Sequence, residues 1–109
     1  MDKTLEQVNE AIRAAAEKHG FETKAEPGFG GLAEIASNEL NFFLRWKNTK
    51  GTDWRAHRVE NELEVKASVR KMGGEPTVEE LLKTADEIRR GAELVAELQA
   101  MKLTWTETF

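Results

Sequence analysis

The chain has no cysteine in its 109 residues. Disulfide scaffolds, thiolate catalysis, zinc fingers and iron–sulfur clusters are excluded together. Two histidines leave little for an imidazole metal site. No uninterrupted apolar run exceeds three residues (Ala14–Ala16 and Leu94–Ala96 are examples), so no segment reads as a bilayer span. The first 20 residues carry Asp2, Glu6, Glu10 and Glu17 and no apolar stretch of signal-peptide length. Excess positive charge is missing as well. The formal net charge is −4, giving no global attraction to nucleic acid or an anionic membrane. These absences predict a cytoplasmic protein with no cofactor, no bound metal and no membrane association.

What remains is an ordinary globular composition, 39% hydrophobic and 33% charged, in a chain long enough for one core. One α+β domain over residues 1–109 is expected, with 103–109 as an extended tail. Thr4 opens a helix, with Gln7 as its capping-box partner. Leu5, Val8, Ile12, Ala15, Ala16 and His19 then recur at helical spacing, and Gly20 ends the helix. Phe21–Glu26 has weak strand character, and Pro27-Gly28-Phe29-Gly30-Gly31 reads as a turn.

From Leu32 to Lys71 the hydrophobic period becomes two. Leu40, Phe42, Leu44 and Trp46 alternate with Asn41, Phe43, Arg45 and Lys47, and Leu63, Val65, Ala67 and Val69 alternate with Glu64, Lys66, Ser68 and Arg70. Each run reads as a strand with one buried face. Three turns are expected, at Asn38-Glu39, at Thr49-Lys50-Gly51 and at Asn61-Glu62. They place Ile35 beside Phe42, Trp46 beside Trp54, Ala56 beside Ala67 and Trp54 beside Val69. The outcome is a four-stranded antiparallel meander, to whose edge the tail can add a fifth strand.

Thr77 and Glu80 form a second capping box. Val78, Leu81, Leu82, Ala85, Ile88, Ala92 and Val95 read as the core stripe of a long C-terminal helix, with a bend at Gly91. Both helices are expected on one sheet face, covering Phe42, Leu44, Trp46, Trp54, Val65 and Val69. The opposite face then carries Phe43, Arg45, Lys47, Arg55, His57, Lys66 and Arg70, with Arg45 across from Arg55, a like-charge pair that a purely structural sheet avoids. Leu40–Arg58 holds five basic residues and one acid, whereas Glu75–Glu97 holds seven acids and three bases. The molecule reads as bipolar, with a basic sheet and an acidic helix.

The catalytic options are thin. Asp53, His57 and Ser68 fall on one sheet face in this register, yet a flat solvated sheet offers no cleft and no oxyanion donors. Gly28-Phe29-Gly30-Gly31 lacks the Gly-Lys-Ser/Thr of a phosphate loop and leads into a strand. The helix–strands–helix order is that of double-stranded RNA-binding domains, but their lysine-rich phosphate clamp is replaced here by Glu75-Pro76-Thr77-Val78-Glu79-Glu80. That family is therefore not carried over, and no enzymatic activity is expected.

Three surfaces remain for a partner. The basic face with Phe43 can hold phosphate or an acidic protein surface, or simply stay solvated. The acidic residues Glu79, Glu80, Asp86 and Glu87 can mimic a polyanion. Leu94, Leu98 and Met101, with Trp105 and Phe109 of the tail, either cap the core or form a homodimer seam or protein anchor. The function expected is a small non-enzymatic protein-binding module, an inhibitor or adaptor of the kind phage and mobile elements encode. It would occupy a surface of a larger complex, one that handles nucleic acid. The alternative is direct nucleic-acid binding by the sheet.

Overall fold

The computed structural model describes residues 3–70 and 73–109; Lys71, where the sequence ends its alternation, lies outside them. Helix α1 spans Leu5–Lys18. Thr4 Oγ1 accepts from the Gln7 N–H and Gln7 Oε1 from the Thr4 N–H, so two donors that the helix leaves orphaned are satisfied. Its inner face buries Val8, Ile12, Ala15 and Ala16. Asn9 joins that face because both ends of its amide are used: Nδ2 donates to the Gly31 carbonyl (2.9 Å) and Oδ1 accepts from the Ala33 N–H (2.8 Å). One polar side chain therefore staples the glycine-rich loop, including its short 3₁₀ turn at Phe29–Gly31, onto α1.

The remaining elements are β1 (Glu22–Thr23), β2 (Ile35–Ala36), β3 (Leu40–Asp53), β4 (Arg58–Val69), α2 (Val78–Met101) and β5 (Thr104–Thr108). The fold is α+β, with two helices and antiparallel pairing throughout the described residues. The strands form two sheets, β1-β2 and β3-β4-β5, and no four-stranded meander. Ile35 pairs with Thr23 instead of lying beside Phe42. The Asn38-Glu39 segment is tied to α2, because Glu87 Oε2 accepts from Ser37 Oγ (2.6 Å) and from the Glu39 N–H (2.8 Å).

The middle turns depart furthest from the pattern expected of the sequence. Thr49–Gly51 does not reverse the chain. It forms a bulge between the pairs Asn48–Asn61 and Thr52–Val59, and β3 runs on to Asp53. Gly51 has the left-handed φ of +74° that its sequence position promised, spent in a bulge. The reversal occurs at Trp54–His57, where Asp53 Oδ1 accepts from the backbone N–H groups of Arg55 and Ala56, each at 3.1 Å. That turn satisfies two backbone donors at no strand's expense. The long hairpin also sets Arg45 opposite Glu64 and Lys47 opposite Glu62, removing the Arg45–Arg55 repulsion of the shorter register. Asn61-Glu62, expected as a turn, lies mid-strand.

The tail is docked. β5 pairs with Arg58–Glu62 of β4, and the Thr106 N–H donates to the Lys3 carbonyl on its other side. Trp105 and Leu103 enter a core shared with Val8 and Ile12 of α1, Leu94 and Leu98 of α2, and Leu44 and Val65 of the sheet. Leu94 and Leu98, expected as a partner seam, are thus core residues. The stripe that reads as core is largely outside: Val78, Leu81 and Leu82 are exposed. Two facts rotate the helix. Gly91 lies directly on Leu40, the first residue of β3, so the turns of α2 before it extend past the end of the sheet. The close approach at Gly91 then turns its neighbours Leu94 and Leu98 inward. α2 is continuous through Gly91, which marks a crossing and not a break.

These elements make a long body, 59 × 24 × 23 Å, with a radius of gyration of 16.2 Å. A compact chain of about 100 residues has roughly 13 Å. The hairpin end and the start of α2 project at opposite poles.

Candidate interaction site at the hairpin tip

The hairpin pole is built from Asp53, the four turn residues and the end of β5. Asp53 organises the turn, and His57 closes it in a left-handed conformation (φ 53°), a cost of about 1–2 kcal/mol for a residue with a Cβ. The His57 carbonyl accepts from the Phe109 N–H at 2.9 Å, bringing the last ring onto the turn. Phe109 meets Trp54 edge-to-face (5.6 Å, 81°) and His57 likewise (5.6 Å, 84°). Trp54 is 73% exposed and Phe109 59%. Three rings therefore hold one another in place while their faces stay in water. Such pairs add about 0.5–1.5 kcal/mol beyond their area, enough to preorganise the tip.

A second exposed aromatic pair lies along β3, where Trp46 stacks on Phe29 (4.9 Å, 29°) with Arg45 above the Phe29 ring. Trp46 and Trp54, both expected in the core, are thus surface residues. Val69 is also exposed. Trp54 lies in the turn beyond the bulge, and Trp46 packs over Phe29 and Gly30 of the glycine-rich loop.

The expected basic face is real in position, and its four cations are partly offset by two carboxylates. Phe43, Arg45, Lys47, Lys66 and Arg70 share the outer face of β3 and β4, together with Glu62 and Glu64. Lys66 Nζ lies 3.1 Å from Glu64, and Arg70 Nε donates to Asn41 Oδ1 (2.9 Å). Arg55 and His57 belong to the tip instead. His57 does not face Lys66, whose partner is Phe43, and Ser68 pairs with Asn41. The Asp53–His57–Ser68 arrangement is therefore not assembled, and Asp53 spends its carboxylate on the turn.

The acidic helix is largely occupied by its own fold. Glu80 pairs with the Thr77 cap (3.2 Å between Oε1 and Oγ1), and Glu87 holds the Ser37–Glu39 segment. Arg90 and Arg89 hydrogen-bond Asp86 at 2.9 and 3.0 Å and hold its carboxyl below the usual carboxylate range. Lys18, with His19 behind it, does the same for Glu97. Both groups bind their proton more weakly folded than unfolded, so their stabilisation is complete above the ordinary carboxylate values of about 4 and is lost as pH falls. The urea midpoint is expected to hold between pH 7 and 5 and to drop below pH ~4, with a shallower drop in Asp86→Asn. A midpoint unchanged down to pH ~2 contradicts this. Of the acidic set only Glu79 has no such duty in the described contacts.

Met101 is exposed, whereas Trp105 is 2% exposed and serves as the core anchor of β5. Among the described residues no group of three or more His, Asp or Glu side chains is placed to hold a metal. No helix among them is long and apolar enough to cross a membrane. No family model matches the chain, and neither a curated protein nor a solved structure matches it.

Sequence reasoning missed Trp54 as a surface residue. The signal available was Asp53 itself, an Asx-turn former placed one residue before the tryptophan, together with the disfavoured Arg45–Arg55 pair.

Proposed function

We propose that the protein is a non-enzymatic binding module that docks onto another protein through the Trp54–His57–Phe109 tip, as a small inhibitor or adaptor does. The observation that carries this reading is the exposure of Trp54 and Phe109 in a mutually locked cluster at one pole of an elongated body. Tryptophan and arginine dominate binding energetics: tryptophan desolvates a large surface with two rotors to freeze, and arginine presents a planar fork of donors. Here Trp54 and Arg55 sit side by side, and Phe109 removes part of the ordering cost in advance. Direct nucleic-acid binding by the sheet draws less support. Glu62 and Glu64 lie opposite Lys47 and Arg45, which interrupts the continuous positive potential that phosphate binding requires.

The test is capture of partners from nuclease-treated native lysate by wild-type protein and by a Trp54→Ala/Phe109→Ala variant. A stoichiometric protein partner is expected on the wild type, weakened on the variant by about 2 kcal/mol or more, some thirtyfold. Phe29→Ala, which opens the other aromatic pair, should retain it. A partner held equally by the tip variant, or only nucleic acid lost on nuclease treatment, overturns the assignment.

A further inference from the structure

Strand β4 is paired on both sides only over its first part. β5 covers Arg58–Glu62, and the Leu63 N–H donates to the Leu103 carbonyl at 2.9 Å. On the other side the Arg70 N–H donates to the Glu39 carbonyl. Backbone groups of a strand alternate in direction, so Glu64, Lys66, Ser68 and Arg70 address β3, while Val65, Ala67 and Val69 address the open side. Gln99 Nε2 donates to the Val65 carbonyl (3.2 Å). No other described hydrogen bond reaches the outward N–H and C=O groups of Ala67 and Val69. The opposite sheet edge is protected: Ser37 Oγ caps the Leu40 N–H, Phe29 stacks on Trp46, and the bulge interrupts the ladder. The β4 edge has no proline, bulge or covering loop among the described residues. Beside it runs an open apolar groove of about 320 Å³ lined by Leu40, Ala67, Val69, Ile88, Ala92 and Val95. Val69 is 54% exposed there.

We propose that this edge pairs with the same edge of a second copy, joining the two β3-β4-β5 sheets across a two-fold axis at Ala67. Closed two-fold pairing of one edge with itself is antiparallel, so the register is fixed by the residue on the axis. Centring on Lys66 sets lysine against lysine and pairs Leu63, whose N–H is already bonded to Leu103. Centring on Ser68 sets Lys66 against the second copy's Arg70. Centring on Ala67 does neither. Glu64 then faces Arg70 of the second copy, twice by symmetry, and Lys66 faces Ser68. Val65 faces Val69 on the side of the apolar groove, which the two copies close together. The charge pattern of the strand is thus self-complementary in one register, and that selects a second copy over a foreign strand. This surface lies away from the hairpin tip, so dimerisation and tip binding can succeed or fail separately.

The chain's lack of cysteine makes the register directly testable. Ala67 on the axis forms a hydrogen-bonded pair with its own copy, at about 5.5 Å between Cα atoms, within disulfide range. Under mild oxidation Ala67→Cys is expected to give a covalent dimer in high yield, and Ser68→Cys, offset from the axis, is not. Sedimentation equilibrium should show the wild type as a dimer. Ala67→Pro removes an N–H that bonds nothing within the chain, so the monomer stays folded while dissociation becomes about tenfold easier or more. Arg70→Glu sets two carboxylates against each other at each of the two Glu64 contacts, so it should weaken the dimer and invert its response to salt, with added salt tightening the variant and loosening the wild type. A wild type that is monomeric at high micromolar concentration, or equal crosslinking at positions 67 and 68, overturns the proposal. Loss of a foreign protein partner in Ala67→Pro, with no wild-type dimer, also overturns it and gives the edge to another chain's strand.

Discussion

Trp105→Ala is expected to lower the unfolding free energy by about 3–5 kcal/mol, among the largest losses any single truncation in this chain can give. Native domains have about 5–15 kcal/mol in total, so the variant sits near the unfolding threshold. Trp105 is fully buried, pairs with Asn61 of β4, and contributes the largest side chain to the core. Its indole N–H donates to Glu107 Oε1 at 3.1 Å, so its one polar atom adds no desolvation cost. Removing the indole leaves a cavity between β5 and α1, and the structure cannot close it by a rotamer change. β5 is short and, among the described residues, held at its outer edge by one bond from Thr106 to Lys3, so it should detach before the rest unfolds. Loss of β5 frees Phe109 and strips the Arg58–Glu62 edge. Urea denaturation at pH ~7 provides the number, and hydrogen exchange across residues 103–109 provides the locus. Trp54→Ala is the control. Its ring is mostly exposed, so its cost should stay near 1 kcal/mol, largely the pairing with Phe109. Equal losses at the two tryptophans contradict the docked tail.

Local signals in this chain are faithful and long-range ones are not. Thr4/Gln7 and Thr77/Glu80 mark both helix starts, because a cap is decided within one turn of chain. The alternation over Leu40–Trp46 and over Leu63–Val69 is also realised, with Leu44 opposite Val65 on the inner face. The turns fail because Thr49–Gly51 carries the residues of a tight hairpin loop and of a bulge equally well; both use a left-handed glycine. What separates them is the partner strand, where Glu62 and Glu64 recruit Lys47 and Arg45 and pull β3 onward. On α2 two apolar stripes lie side by side, and periodicity alone cannot rank them. The stripe that reaches past the sheet end finds nothing to cover it. The tip cluster is illegible for the same reason: Trp54 and Phe109 are separated by 54 positions of chain and meet only because β5 returns along β4.

Gly91 decides which stripe of α2 is buried, and the competing effects there can be ranked. On propensity alone Gly91→Ala should stabilise the helix by about 1 kcal/mol. Against this, a methyl group at position 91 runs into Leu40 Cδ1 and comes within 3.4 Å of the Phe42 ring. Leu40 is itself buried and Phe42 is held edge-on by Phe21 at 5.2 Å, so the Leu40 methyl can yield only by shifting toward the groove it lines beside β4. Overpacking of this kind costs about 1–3 kcal/mol, so the alanine variant should come out destabilised by about 1 kcal/mol despite the helix gain. Gly91→Leu forces α2 off the sheet and should cost about 4 kcal/mol or more, since Leu94 and Leu98 leave the core with it. The interaction is separable by a double-mutant cycle. Leu40→Ala alone should lose about 2–4 kcal/mol, but in the Leu40→Ala/Gly91→Ala pair the added methyl partly fills the space vacated, and the coupling should be favourable by about 1 kcal/mol or more. Additive losses, or a stabilised Gly91→Ala, place α2 at a greater distance from β3 and return Val78, Leu81 and Leu82 to contention as the buried face.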